Sequence, residues 1–357
     1  MPRSLIVCSD GTWNTAERES SGMPRPSNVV ELARALLPTN RLGEPQIVFY
    51  DPGVGTGNFV DKWTGGALGA GLDDNVKDAY RFLVHNYAPG DDIYFFGFSR
   101  GAYTVRSAAG LIRKCGILRR SQGDLLDNAF KIYRKLDPGP DTTEAQDFRR
   151  GHSIDPVPIK CIGVWDTVGA LGIPTNLPLR FLSRGRHQFH DVRLSSKVAY
   201  AFQALAIDEH RKVFEPTIWE QSETAAGQVF EQAWFPGGHC DVGGGHKDDR
   251  LARGALRWMI GRAETAGLDF DPAYVANLHP DAAGMLHDVR GFPYLRRMLR
   301  PIGLARRANE SLHPSATERR TRLADYRPPN LEDYLERERL AVPGELVAAH
   351  PEEIPRN

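Results

Sequence analysis

Ile93-Tyr94-Phe95-Phe96-Gly97-Phe98-Ser99-Arg100-Gly101-Ala102-Tyr103 is the stretch whose reading decides the fold. Its four bulky apolar residues predict a buried strand, and Ala102-Tyr103 opens a helix through about Lys114. Between them, Gly97 to Gly101 has the spacing G-x-S-x-G. A sharp strand-to-helix turn exposes a serine hydroxyl, and small flanking residues avoid clashes where the backbone is strained. The helix N-terminus then offers N–H groups to a developing negative charge, with Arg100 N–H first. The spacing alone arises by chance; the strand before it and the helix after it give it weight. The competing reading is a Gly-rich turn with an idle serine.

The same grammar recurs on either side. Leu5 to Cys8 is a short apolar run leaving into Ser9-Asp10-Gly11-Thr12-Trp13-Asn14. Ile47 to Tyr50 leaves into Asp51-Pro52-Gly53, and a run over 159–165 leaves into Asp166-Thr167-Val168-Gly169. Helices are predicted over 28–37, where Asn28 with Glu31 resembles a capping box, over 72–86, and over 125–136. Val198, Phe202, Leu205 and Ala206 have helical spacing, so a helix is expected to end near Asp208-Glu209-His210-Arg211. Residues 217–219 and 229–235 read as short strands, the second ending in Pro236-Gly237-Gly238-His239-Cys240-Asp241. A helix with Leu256, Met259, Ile260 and Ala263 inward follows. Strands alternating with helices predict an α/β fold with a mostly parallel sheet covered on both faces. Ligands of such sheets bind at the carboxyl ends of the strands, where most of these polar turns fall.

Composition narrows the function classes. The 357 residues carry 45 Lys+Arg and 45 Asp+Glu, so no global positive field draws phosphates and nucleic acid is not expected as a partner. The neutral total hides a local split. Residues 288–327 hold ten arginines against four acidic residues, and 331–357 hold seven acidic residues against three arginines. This predicts a catalytic unit over 1–275 and a charged extension over 276–357, helical or partly disordered. Tyr294 to Arg300 reads as a solvated helix face, the alternative being an interfacial segment that meets anionic lipid headgroups. Residues 116–158 and 171–194 are irregular excursions and are expected to form lid or substrate-side walls. Cys8, Cys115, Cys161 and Cys240 form no CxxC pair and read as buried free thiols. No signal peptide or transmembrane run is legible, so a cytoplasmic protein as synthesised is expected, with signal-independent export open.

A serine nucleophile needs a base, and the base needs an orienting acid. Of the 11 histidines, His239 follows a predicted core strand inside a Gly-rich turn; His246 is a weaker candidate. Asp166 ends its strand at the same sheet edge, completing the order Ser…Asp…His. Asp208 is the alternate acid, although Glu209 and Arg211 beside it offer a structural explanation. Backbone N–H of Arg100 and of Gly11 or Thr12 would form the oxyanion hole. Asp10 could instead fix its own loop.

Five blocks together resemble a known family: Cys8 to Asn14, Gly97 to Ala102, Val164 to Ala170, Asp208 to Arg211, and Trp234 to Gly245. It is the α/β-hydrolase-like family, long described only as a domain of unknown function, that includes type VI secretion phospholipase effectors of the first lipase class. The resemblance runs from about residue 3 to 270. It implies an α/β-hydrolase fold, a serine hydrolase and phospholipase activity.

The expectation is therefore a serine esterase or lipase, phospholipase-like, with Ser99 as nucleophile, His239 as base and Asp166 as acid. Its partner is an ester or lipid substrate, with peripheral membrane contact as an extension, and it requires no cofactor and no metal. Two rivals stand beside it. A metal-dependent phosphohydrolase would use Asp10, Asp166, His239 and Asp241; Asp10-Gly11-Thr12 is similar to the opening of aspartate-nucleophile phosphatases, but Cys8 occupies the nucleophile's place. A P-loop is not expected, since no Gly-Lys-Ser/Thr follows Asp51 to Gly57. The other rival is a binding module that kept the fold without the chemistry.

Overall fold

Leu5 and Val7 join one buried apolar cluster while Ile6 and Cys8 join another. That alternation is what a strand buried on both faces produces. The structure, a computed structural model, describes residues 2–11, 19–20, 23–53, 65–135, 141–168, 193–221, 226–287, 298–304 and 309–341. Seven strands form the central sheet: β1 (Ser4–Ser9), β2 (Gln46–Asp51), β3 (Asp92–Phe98), β4 (Ile159–Trp165), β5 (Val198–Ala206), β6 (Val229–Phe235) and β7 (Glu310–Leu312). Their order is β7-β6-β5-β4-β3-β1-β2, and every neighbouring pair is parallel. This is an α/β-hydrolase-like sheet.

Helices cover both faces. On one lie α2 (Gly65–Asn86), α3 (Arg100–Cys115), α4 (Leu126–Arg134) and α5 (Thr143–His152), which bury Val76, Tyr80, Val105, Phe130 and Ala145 with Leu5, Phe95 and Val164. On the other, α1 (Asn28–Ala35) and a later helix, Arg250–Thr265, bury Leu32, Leu256 and Met259 with Phe96, Trp165 and Phe202. The N-cap of α1 is Ser27, not Asn28: Ser27 Oγ accepts from Val30 N–H. Asn28 instead donates its amide to the carbonyls of Val242 and Ala252, because it is buried between elements.

The expected helix at 198–206 is a strand. Its residues lie between β4 and β6 and are buried on both faces, so apolar side chains occur without alternation and helical spacing emerges by accident. Asp208 accordingly follows a strand, not a helix. The expected strand at 217–219 is also absent; Glu220–Gln221 pairs briefly with Arg193–Leu194 instead. The turn at His239 carries a helix of its own, α6 (His239–Gly243), followed by α7 (Arg250–Thr265). Of the excursion over 116–158, the described part packs α4 and α5 along α3, while 171–194 falls almost wholly outside the described residues.

The C-terminal segment reaches the sheet. β7 pairs with β6, and Ile302, Ala316, Tyr326 and Leu331 bury Leu205, Ile207 and Trp234. The short helix α8 (Pro272–Ala276) leads into it, and it carries α9 (Pro314–Arg322) and α10 (Pro329–Ala341). Among the described residues, three of its arginines are engaged within the chain: Arg320 pairs with Glu332, Arg322 with Asp281, and Arg319 donates to the carbonyls of Ala282 and Gly284. Residues 298–300 are not helical, and Arg300 is 1% exposed, so the solvated face expected there is replaced by a buried cation. Residues 294–297 lie outside the described residues. Among the described residues, no helix is long and apolar enough to cross a membrane.

Candidate functional site

The register brings the strand ends into line. Ser9 pairs with Gly97, Phe98 with Trp165, Trp165 with Ala204, and Ala206 with Phe235. The residues that follow, Asp10, Ser99, Asp166, Asp208 and the turn at Gly237, therefore share one edge. Chain order reverses direction between β1 and β3, and crevices open at such switch points.

Ser99 stands there as the N-cap of α3, with φ 56° and ψ −118°. A non-glycine residue in that region is strained, at about 1–3 kcal/mol, and must be held by its surroundings. Two features hold it. Ser99 N–H donates to Trp165 O at 3.1 Å, tying the elbow to β4. The flanking glycines permit close packing: a Cβ on Gly101 would lie 2.0 Å from Ser9 O, and one on Gly97 would lie 2.6 Å from Gly101 O. Asp166, at the end of β4, also has positive φ, 41°. Strained residues of this kind concentrate at functional sites.

The histidine is placed by its own turn. Asp208 N–H donates to Gly237 O at 3.0 Å, its Oδ2 accepts Gly237 N–H at 2.7 Å, and Tyr326 OH donates to the same oxygen at 2.8 Å. His239 N–H donates to Glu209 Oε2 at 3.2 Å, and Arg211 clamps Glu209 through Nε and Nη2. The imidazole, 4% exposed, lies between two aromatic rings, Phe98 at 4.6 Å and Phe214 at 4.8 Å. Its Nδ1 meets Asp166 Oδ2 at 2.6 Å. Asp208 makes no such contact. Burial raises the Asp208 carboxyl above its ordinary range, with Gly237 N–H and Tyr326 partly offsetting it.

Asp166 is fully buried and accepts four bonds: from His239, from Ala206 N–H at 3.1 Å, and from Arg300 Nη1 and Nη2 at 2.6 and 3.0 Å. Burial pushes its carboxyl up, but the Arg300 guanidinium and the His239 bond outweigh that and hold it well below the usual carboxylate range. Sequence reasoning missed Arg300. It is 134 residues from Asp166 and one of ten arginines in its segment, with no distinguishing pattern.

Of the expected oxyanion donors, Arg100 opens the first turn of α3, at the positive end of the helix dipole. Gly11 N–H donates to Asp10 Oδ1 at 2.6 Å, and Asp10 Oδ2 accepts from Ser27 and Tyr50, so Asp10 fixes its loop. Thr12 lies outside the described residues.

The four residues of the metal reading do not converge: Asp10 and Asp166 are committed as above, and Asp241 turns elsewhere. Among the described residues, the cluster of metal-ligating types is Asp241, His246 and His287, with ligand atoms within 4.8 Å. Asp241 Oδ1 meets His287 Nδ1 at 2.6 Å, and the two imidazoles stack 3.7 Å apart at 15°. An imidazole lone pair lies in its ring plane, and two near-parallel planes so spaced do not share an ion. The arrangement reads as a hydrogen-bonded carboxylate beside stacked rings.

The family described as the T6SS phospholipase effector Tle1-like catalytic domain matches residues 3–262. The chain belongs to that family. A curated relative, the uncharacterized protein YEL023C of Saccharomyces cerevisiae, is 30% identical over 236 residues, which is 60% of this chain and 32% of that protein. The chain thus spans about a third of that relative's length. Two solved structures are similar. One is an uncharacterized protein from Pseudomonas aeruginosa, with 16% identity, a TM-score of 0.45, and coverage of 79% of this chain and 49% of that one. The other is a thermophilic esterase from Thermogutta terrifontis with butyrate bound, at 14% identity and a TM-score of 0.36, covering 74% and 84%. At these scores neither likeness bears on activity. The family match ends before Arg300, so the cation on Asp166 comes from outside the matched region.

Proposed function

We propose that this Tle1-like chain hydrolyses carboxylic esters of lipid or phospholipid through an acyl-enzyme. Ser99 Oγ attacks the carbonyl carbon; His239 takes the serine proton and returns it to the leaving alcohol; Asp166 holds the ring through Nδ1. Water, activated by the same ring, then cleaves the acyl-serine and releases the acid. Arg100 N–H supplies one oxyanion donor, and a backbone N–H of the loop after β1 supplies the second.

The observation that carries the reading is the buried 2.6 Å contact between His239 Nδ1 and Asp166, at the edge where the strained Ser99 stands. Among the described residues, no hydrogen bond joins Ser99 Oγ to the ring. In free enzymes such bonds are often long and tighten with substrate. The family's description supports phospholipid as the ester class. Peripheral membrane contact is part of the same proposal; liposome binding indifferent to salt would count against an electrostatic form of it.

Ser99→Ala tests the reading. Turnover of p-nitrophenyl octanoate and of dioctanoylphosphatidylcholine should fall by about 10³-fold or more, with the thermal midpoint near the parent's. Equal turnover without Ser99 sinks the proposal. Activity lost to a chelator and restored by a divalent ion would favour the metal route, and no turnover in the parent would favour a binding module.

A further inference from the structure

Two carboxylates touch His239, and each is matched by a guanidinium. Glu209 accepts the His239 backbone N–H and is clamped by Arg211; Asp166 accepts Nδ1 and is clamped by Arg300. Arg300 is the deeper of the two cations. Its Nη1 also donates to Ala206 O at 2.9 Å and its Nη2 to Phe214 O, so it ties the acid to the end of β5 and to the segment whose ring covers His239. Asn330 holds the Arg300 carbonyl at 3.1 Å and the Ile207 carbonyl at 3.0 Å, anchoring this arginine to the sheet from α10.

We propose that Arg300, contributed by the C-terminal segment beyond the family's matched region, is a positioning residue that fixes Asp166 and restrains protonation of His239. The inference deepens the serine-hydrolase reading and rests on it. A bare carboxylate at Nδ1 would stabilise an imidazolium strongly. A bidentate guanidinium on that carboxylate offsets its charge, and its removal would leave the carboxylate's pull on the ring unopposed. The fork also fixes the carboxylate plane, which a point charge does not. The charged and titratable groups facing this pair are Arg300 from the C-terminal segment, Glu209 and Arg211 from the turn after β5, and Asp208 behind Gly237. Glu209 is neutralised by Arg211, leaving Arg300 as the cation that acts directly on the acid.

The test is the pH dependence of kcat/KM for p-nitrophenyl octanoate in the full chain. Arg300→Gln keeps a donor and removes the charge; its acid limb should move up by about one pH unit. Arg300→Lys keeps the charge and loses the fork; its acid limb should stay in place while kcat falls about tenfold at the optimum and KM changes little. A role confined to stability would lower activity without moving the limb. An unmoved limb in folded Arg300→Gln overturns the proposal, as does an equal shift in Arg300→Lys. Should Arg300→Gln fail to fold, an unchanged kcat in Arg300→Lys overturns the positioning role. If Ser99→Ala retains full turnover, the serine reading falls by itself, and the His239 ring-proton resonance, titrated in parent and Arg300→Gln, still decides the role of Arg300.

Discussion

His239 Nδ1 lies 2.6 Å from Asp166 Oδ2, whereas Asp208, a second buried carboxylate at that edge, accepts Gly237 N–H at 2.7 Å. One carboxylate holds the ring and the other holds the turn that carries it. Their substitutions should separate. Asp166→Asn should lower kcat by about 10³–10⁴-fold, because an amide NH2 facing Nδ1 holds the ring in the wrong tautomer and no charge steadies the imidazolium. It should also leave Arg300 buried without a counter-charge, at a cost of about 3–5 kcal/mol. Asp208→Asn retains an acceptor for Gly237, so kcat should stay within about tenfold of the parent. Ester kinetics beside urea unfolding decides this, and an Asp208→Asn loss equal to that of Asp166→Asn would reverse the assignment.

Glycine substitutions probe the elbow. A Cβ on Gly101 would meet the backbone oxygens of Ser9 and Asp10 at 2.0 and 2.5 Å, and neither can yield without moving β1. Gly101→Ala should therefore misplace Ser99 and cost at least about 1–3 kcal/mol, as overpacking does. Gly254, inside α7, has nothing within 4 Å of its Cβ position. Gly254→Ala should stabilise by about 0.5–1 kcal/mol, since alanine restricts the unfolded chain and favours helix. Thermal midpoints moving in the same direction for both would contradict the packing account.

The contrast between these glycines shows where sequence is informative. The elbow was legible because strand, turn and helix signals coincide within 11 residues, and the ends of β1, β4 and β6 repeat its grammar. β5 reads as a helix in sequence because burial on both faces removes the alternation that marks a strand. Arg300 was illegible for another reason: its partner is distant in the chain, and no local pattern marks a buried cation. His287 lies in the C-terminal segment without a local motif, yet its Nδ1 meets Asp241, two residues after His239. Local chemistry could be read; tertiary pairing from the C-terminal segment could not.

That segment also contributes to stability. Leu331 in α10 is fully buried with Ile207, Trp234 and Ile302, next to the Asn330 that holds Arg300. Leu331→Ala should cost about 2–5 kcal/mol from lost burial and the cavity left behind. Because Asn330 adjoins it, the same variant should lose ester turnover at lower urea than the parent. A loss of stability below about 1 kcal/mol would mean that the segment docks without bearing on the sheet.

His313 gives the fold a pH dependence separate from the site. It precedes α9, where its Nδ1 accepts Ser315 N–H at 3.2 Å, and its ring stacks 4.2 Å from Phe235. Burial, with a smaller push from Arg262, lowers it to about 4. An unfolded histidine titrates near pH 6.5, so below that value the unfolded chain binds a proton that the fold resists. The stabilisation is present in full above about pH 6.5 and is withdrawn as pH falls towards 4, on the order of 3 kcal/mol. His313→Asn keeps a capping side chain and removes the titration, so its stability should fall less over that window. Urea midpoints for both proteins at pH 7.5 and pH 4.5 measure the difference. Equal losses would place the acid sensitivity in the carboxylates, because a proton bound at His313 would then cost the fold nothing.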